Sequence, residues 1–155
     1  MKRMSRIAAG LVTLALGMFA ASSQSAYQGT WQLDAAKSQV SDGHTMTLTM
    51  QLAGDQLKFV GVVKKGDDAV TSQFSCGTAS GAECAFDEGG HKSKVSIWFS
   101  GPSLNLCKTD GPVGDVVTEW KMELSPDNNT LTISVSHVDP QQKDETLVFT
   151  KKSGA

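Results

Sequence analysis

Apolar and polar residues alternate with a period of two over much of this chain. In residues 45–52 methionine and leucine alternate strictly with threonine and glutamine, and the same alternation recurs over 116–124 and 130–136. A strand with one buried face has this period, whereas a helix would need a period of 3.6. The pattern therefore predicts an all-β chain.

Short clusters of Gly, Asp, Asn and Pro separate these runs and are typical of hairpin turns. They delimit ten predicted strands, at 28–33, 45–53, 56–64, 69–76, 82–87, 92–100, 103–109, 114–124, 130–137 and 145–151. Nearly every connection is short, and no long crossover interrupts the series. We therefore expect a single up-and-down antiparallel β-barrel of about 8–10 strands, because closure removes the exposed edges of a sheet. A two-sheet sandwich is the structural alternative.

The N-terminal segment differs from the rest of the chain. Three cations (Lys2, Arg3 and Arg6) precede an apolar run over 7–21, and small and polar residues follow it. This layout predicts a signal peptide over 1–26, cleaved somewhere in 22–26, and a periplasmic or secreted barrel domain over 27–155. A membrane anchor is the alternative, but the run is shorter than the roughly 20 residues of a spanning helix.

Removing such a leader makes the protein acidic. All 16 acidic residues but only 11 of the 14 basic residues lie beyond residue 26, which leaves a formal net charge of −5 and no arginine. Nucleic acid and anionic membrane surfaces are therefore disfavoured as partners. The remaining length suits one domain, which we expect to be a monomer.

The start of the first strand resembles a known superfamily. Gly29-x-Trp31 is similar to the Gly-x-Trp signature of lipocalins, fatty-acid-binding proteins and avidins. The longer segment resembles the opening of small exported bacterial lipocalin-like proteins and reads Gly29-Thr30-Trp31-Gln32-Leu33-Asp34-x-x-Lys37-Ser38.

The resemblance implies a calycin-type barrel in which Trp31 closes one end and a cation from the last strand packs over it. Without arginine, Lys151 or Lys152 would supply that cation. Only residues 34–44 separate the first two strands, so the two-helix lid of fatty-acid-binding proteins is expected to be missing. Fatty-acid and biotin binding are disfavoured, because an interior arginine and a cage of tryptophans are both absent.

Twelve apolar residues are predicted to face the barrel interior and to line any ligand site. They are Met46, Leu48, Met50, Phe59, Phe74, Ile97, Phe99, Trp120, Met122, Ile133, Val135 and Phe149. Methionine can adapt to varied apolar ligands, but the same side chains could simply fill a small barrel. Burying a large side chain contributes roughly 1.5–3 kcal/mol, so this set can support the fold without a cofactor.

The three cysteines are predicted to form one disulfide and one free thiol. Cys76 and Cys84 flank a loop of small residues, and export to an oxidising compartment would permit their bond. Cys107 lies on the face opposite its leucine neighbours and is left free. Three buried thiols are the alternative.

No motif indicates catalysis or metal binding. His44, His91 and His137 fit no metal-ligand spacing, and neither a nucleophile elbow nor a phosphate loop occurs. We therefore expect a non-enzymatic protein without metal or cofactor. The favoured function is binding of a small apolar molecule inside the barrel. The alternative is an inhibitor or interaction protein that acts on another protein through its loops, for example the loop between Cys76 and Cys84.

Overall fold

Ten antiparallel strands form a closed barrel in a computed structural model, which describes residues 23–40, 42–79 and 81–154. The strands are β1 (Gly29–Leu33), β2 (Thr45–Ala53), β3 (Gln56–Lys65), β4 (Asp68–Gly77), β5 (Cys84–Glu88), β6 (His91–Ser100), β7 (Ser103–Asp110), β8 (Val116–Leu124), β9 (Thr130–Asp139) and β10 (Glu145–Lys151). Their bounds differ from the predicted ones by two residues or fewer.

The strands follow one another around the barrel in chain order, and β1 pairs with β10 to close it. This arrangement confirms the predicted up-and-down barrel and excludes the sandwich alternative. Tight turns join neighbouring strands: Lys65 pairs in register with Asp68, which leaves a two-residue turn. Gly66 in that turn has a φ of 62°, a conformation that glycine adopts without the strain of a side chain.

The predicted signal peptide lies almost wholly outside the described residues. Its last four residues, 23–26, are described, and residues 23–25 form a short helical turn. Among the residues that the structure describes, no helix has the length and apolar character needed to cross a membrane.

One end of the barrel is closed by aromatic residues from the N-terminal segment and β1. Trp31 is fully buried and its indole Nε1 donates a hydrogen bond to the carbonyl of Tyr27 at 3.0 Å. The Lys151 ammonium lies 5.0 Å from the centroid of the Trp31 ring and donates to the carbonyl of Ala26 at 3.0 Å. The predicted cation over the tryptophan is thus confirmed, and Lys151 supplies it.

The connection from β1 to β2 runs along β10. The amide of Asp34 donates to the carbonyl of Val148 at 2.8 Å, and the amide of Gln39 donates to the carbonyl of Thr146 at 2.9 Å. In its described parts, 34–40 and 42–44, this connection contains turns and no helix. The expectation that a two-helix lid is missing holds for these residues.

A disulfide joins Cys76 and Cys84, as predicted, with their Cα atoms 5.7 Å apart. Strands β4 and β5 pair in register at Ser72 and Glu88. The disulfide links the two strands nearer the end of the barrel that holds Tyr27 and Trp31. Cys107 is a free thiol on the outer surface. Partial burial, with a smaller effect of the Glu119 carboxylate, raises the pKa of the Cys107 thiol.

Candidate functional site

The two ends of the barrel differ in character. The end that holds Tyr27 and Trp31 is called the closed end here. The opposite end, called the mouth, carries the segment from Asp34 to His44 and the turns that follow β3, β5, β7 and β9.

The middle of the barrel is filled by four aromatic side chains, termed the aromatic cluster: Phe59, Phe74, Phe86 and Trp120. Phe59 and Phe74 are stacked with 5.0 Å between centroids, and Phe86 lies 5.8 Å from Phe74. Trp120 meets the edge of Phe59 at 6.1 Å. Because β3 and β8 occupy opposite walls of the barrel, this last contact spans the interior.

All twelve predicted lining residues lie on the inner face, as the strand register shows. Nine of them are buried in the core: Leu48, Met50, Phe59, Phe74, Ile97, Met122, Ile133, Val135 and Phe149. Met46, Phe99 and Trp120 are partly buried and pack against that core. The packing agrees with the alternative that these residues fill the barrel, and their role in ligand binding stays a prediction.

The inner face becomes polar toward the mouth on β5, β6 and β7. The alternation that points Phe86 and Leu106 inward continues to Glu88 and Lys108, two positions further along each strand. On β6 the same rule places Ser93 on the inner face, opposite Phe86.

Lys108 holds a positive charge inside the barrel. Its ammonium lies 4.9 Å from the Phe86 centroid and 2.7 Å from Oε2 of Glu88, so the pair bridges β5 and β7 across β6. The Lys108 side chain is 19% exposed, whereas that of Glu88 is 43% exposed. The cation is therefore the more desolvated partner, and an anion that replaces or joins the carboxylate would be stabilised there.

Strand β6, which the Glu88–Lys108 ion pair crosses, carries a buried hydroxyl group. Ser93 is 8% exposed, and its Oγ has no hydrogen-bond partner among the described residues. Leaving a buried polar group unpaired costs about 1–3 kcal/mol. The Ser93 hydroxyl is therefore free to bond a polar group that enters the mouth.

A hydrogen-bonded pair of a histidine and a carboxylate lies at the rim of the mouth. Nε2 of His91 lies 2.8 Å from a carboxylate oxygen of Asp110. The pKa of Asp110 is lowered, first by the hydrogen bond from the amide of Gly111 and then by the one from His91. The charged side of the mouth thus extends from Glu88 and Lys108 to its outer edge.

The other side of the mouth is apolar. Met46, Val63 and Val70 pair in register across β2, β3 and β4 and share the inner face. All three are at least partly exposed, and Val70 is 44% exposed although it is apolar. The mouth is therefore amphipathic, with an apolar wall on β2–β4 and a charged wall on β5–β7.

The architecture matches solved barrels. An alanine mutant of the fluorescent protein UnaG is similar over 84% of this chain and 99% of its own, with a TM-score of 0.60 and 16% identity. The fatty-acid-binding protein isolated from Manduca sexta is similar over 80% of this chain and 98% of its own, with a TM-score of 0.55 and 18% identity. This chain has the calycin-type barrel fold. No protein-family model matches its sequence, and no curated protein sequence matches it.

Sequence reasoning missed the polar residues at the mouth of this calycin-type barrel, Lys108 and Glu88. The expectation of an interior cation rested on arginine alone, and the twelve predicted inward residues do not include Lys108. The signal was present, because Lys108 continues the alternation of Leu104 and Leu106. Glu88 continues the alternation of Cys84 and Phe86 in the same way.

The three histidines do not meet at one point. His44 contacts Asp42, and His91 contacts Asp110. Across residues 23–40, 42–79 and 81–154, no group of three or more His, Cys, Asp or Glu side chains is placed to hold a metal ion.

Proposed function

We propose that this protein binds a small amphipathic molecule in the mouth of the barrel, with an anionic group on Lys108 and an apolar part against Met46, Val63 and Val70. The observation that carries the proposal is the partly desolvated Lys108 ammonium, which faces an apolar wall across the mouth. The Ser93 hydroxyl would give the anionic group a second partner.

The aromatic cluster limits the size of this ligand. The contact between Phe59 and Trp120 spans the interior, so a ligand would rest above these rings and not extend to the closed end. A short chain or a single small ring system fits this depth better than a long extended chain. Movement of the partly exposed Trp120 would be needed to admit anything longer.

The fold neighbours agree with this chemistry by analogy. One of them is named a fatty-acid-binding protein, and a fatty acid combines a carboxylate with an apolar chain. Fold likeness alone is a weak argument for function, so the proposal rests on Lys108. Because Lys108 supplies an interior cation, the absence of arginine does not exclude a carboxylate ligand.

The setting of this function is also a proposal. The cations and apolar run at the N-terminus favour export to the periplasm or medium. With Gly29-x-Trp31, they support assignment to the exported lipocalin-like proteins. The binding role proposed here is non-enzymatic and requires no cofactor.

A titration with matched ligands tests the proposal. Straight-chain carboxylates of six to sixteen carbons and the corresponding alcohols would be added at pH 7, with binding followed by calorimetry. We expect the best carboxylate to bind roughly ten times more tightly than its alcohol, which is about 1.4 kcal/mol. Lys108→Met should remove this preference, and Lys58→Met, on the outer face, should keep it. Equal affinity for acid and alcohol, or a preference that survives Lys108→Met, would contradict the proposal.

A second candidate function is docking of a protein at the mouth. The exposed large hydrophobic residues of the described chain all lie at this end: Val70, Val113, Val116 and Val138. Val113 is 83% exposed in the turn after β7. A photo-crosslinking residue at position 113, with position 58 as the control, would test this candidate in cells. A discrete adduct formed only from position 113 would support it, and no adduct would argue against it.

A further inference from the structure

One tryptophan points away from the barrel interior. Ile97 and Phe99 face inward on β6, and Trp98 between them faces outward. It is only partly buried, and it lines a groove of about 300 Å³ on the outer surface. A large aromatic ring on the outside of a barrel is not needed for the core.

Polar side chains extend from this ring across the next three strands, β7, β8 and β9. One row of register partners runs from Trp98 to Asn105, Lys121 and Ser134. The next row contains Glu119 and Ser136. The groove therefore combines one flat apolar surface with an amide, a carboxylate, an ammonium and two hydroxyls.

Most of these polar groups have unused hydrogen-bonding capacity. Within the described chain, the indole N–H of Trp98, the carboxylate of Glu119 and the hydroxyls of Ser134 and Ser136 make no hydrogen bond. Asn105 makes one long bond of 3.5 Å to the carbonyl of Ser103, and Lys121 pairs with Glu123 at 2.8 Å. The groove therefore offers enough donors and acceptors beside the Trp98 indole to bond several groups of a single ligand.

We infer that this outer groove binds a carbohydrate. The apolar C–H face of one sugar ring can lie against the indole of Trp98, while hydroxyl groups of that ring and of adjoining sugar units bond Asn105, Glu119 and the two serines. Charges of both signs are present, so the groove favours neither an anion nor a cation. A neutral polyhydroxylated ligand matches this combination.

The polar side chains of the outer groove are separate from those of the mouth. They lie on the outer face of β7–β9, whereas Lys108 lies on the inner face, although the inward-facing Leu106 and Trp120 also line the groove. Binding at the groove neither requires nor excludes a ligand in the barrel. The two proposals can therefore fail separately.

Calorimetry with defined oligosaccharides tests the inference. Hexaoses of glucose, N-acetylglucosamine, xylose and mannose would be titrated into the full chain, up to about 10 mM because single sugar sites bind weakly. The heat signal does not depend on Trp98 fluorescence, so the same assay serves its variants. We expect at least one hexaose to bind, with an affinity at least tenfold lower in Trp98→Ala and severalfold lower in Glu119→Gln.

Controls separate the groove from the rest of the barrel. Lys58→Ala, on the outer face of β3, should bind like the parent protein. If Trp98→Ala does not fold, Asn105→Ala together with Glu119→Gln removes polar partners while keeping the ring. Absence of heat with all four hexaoses would overturn the inference. So would binding that these groove variants leave unchanged.

Discussion

The indole of Trp120 and the phenyl ring of Phe59 meet inside the barrel, with 6.1 Å between centroids and an interplanar angle of 61°. Strands β8 and β3, which carry them, lie on opposite walls, with four strands between them in either direction. An edge-to-face contact of this kind is favourable beyond the area it buries. The two residues therefore brace the barrel across its width and set the depth of the mouth.

Removing the phenyl ring of Phe59 should weaken the fold substantially. Phe59 is fully buried, so Phe59→Ala is expected to lower the free energy of unfolding by about 3–5 kcal/mol. A double-mutant cycle with Trp120→Ala should give a coupling of roughly 0.5–1.5 kcal/mol. Urea unfolding of the parent, the single variants and the double variant measures both quantities.

The matched control for this cycle is Phe149, which is buried but lies outside the aromatic cluster. Phe149→Ala should be similarly destabilising, and its effect should add to that of Trp120→Ala with little coupling. Additive effects for Phe59 and Trp120 would show that their contact does not brace the barrel.

Counting thiols tests the disulfide assignment. The denatured, unreduced protein should expose one reactive thiol, from Cys107, and the reduced protein should expose three. The paired variant Cys76→Ser with Cys84→Ser should lose roughly 2–3 kcal/mol of stability, because the bond restricts the unfolded chain. Cys107→Ser serves as the control and should change stability much less. Three reactive thiols before reduction would refute the pairing.

The cation over Trp31 should contribute to the stability of the closed end. Lys151→Met removes both the contact with the ring and the hydrogen bond to Ala26, and we expect a loss of about 1–2 kcal/mol. Lys151→Arg should retain most of this stability, since guanidinium also packs on indole. Lys152→Met is the matched control and should stay within about 0.5 kcal/mol of the parent. Equal effects of Lys151→Met and Lys152→Met in thermal unfolding would contradict this role.

The Asp42 carboxyl should titrate below its ordinary range. Hydrogen bonds from the side chain and the amide of His44 lower the pKa of Asp42 to about 2. Because the folded pKa lies below the unfolded value, the linked stability is present above about pH 4 and is lost as pH falls through about 2. The carboxyl is exposed, so its contribution to stability should be small.

Carboxyl chemical shifts measured by NMR would locate this midpoint. His44→Ala should move it upward toward the ordinary value for aspartate. A midpoint for Asp42 that does not respond to His44→Ala would show that His44 is not the cause.

Much of the fold could be predicted from local features of the sequence. The alternation of apolar and polar residues over 45–52 and 130–136 follows from the geometry of a strand with one buried face, and glycine-rich turns mark where each strand ends. The disulfide between Cys76 and Cys84 was also predictable, because both residues lie on inward positions of adjacent strands. The choice of a barrel over a sandwich depended on short connections throughout the chain.

The candidate sites were less predictable. The inward position of Lys108 follows from the same alternation, but nothing local shows that its ammonium meets Glu88 across β6 and lies over Phe86. The outer groove likewise depends on Trp98 and Ser134, which are far apart in the sequence and line the same groove only because β7 and β8 pair in register between them.

The strands, their inward and outward faces and the positions of their turns follow from the amino-acid sequence alone, because each is a property of a few consecutive residues. The contact between Phe59 and Trp120, and the mouth with one apolar and one charged wall, exist only in the folded barrel. Those relationships depend on the stagger and closure of all ten strands. Each strand pairing between two opposite walls contributes to their relative position, so no local segment can set it.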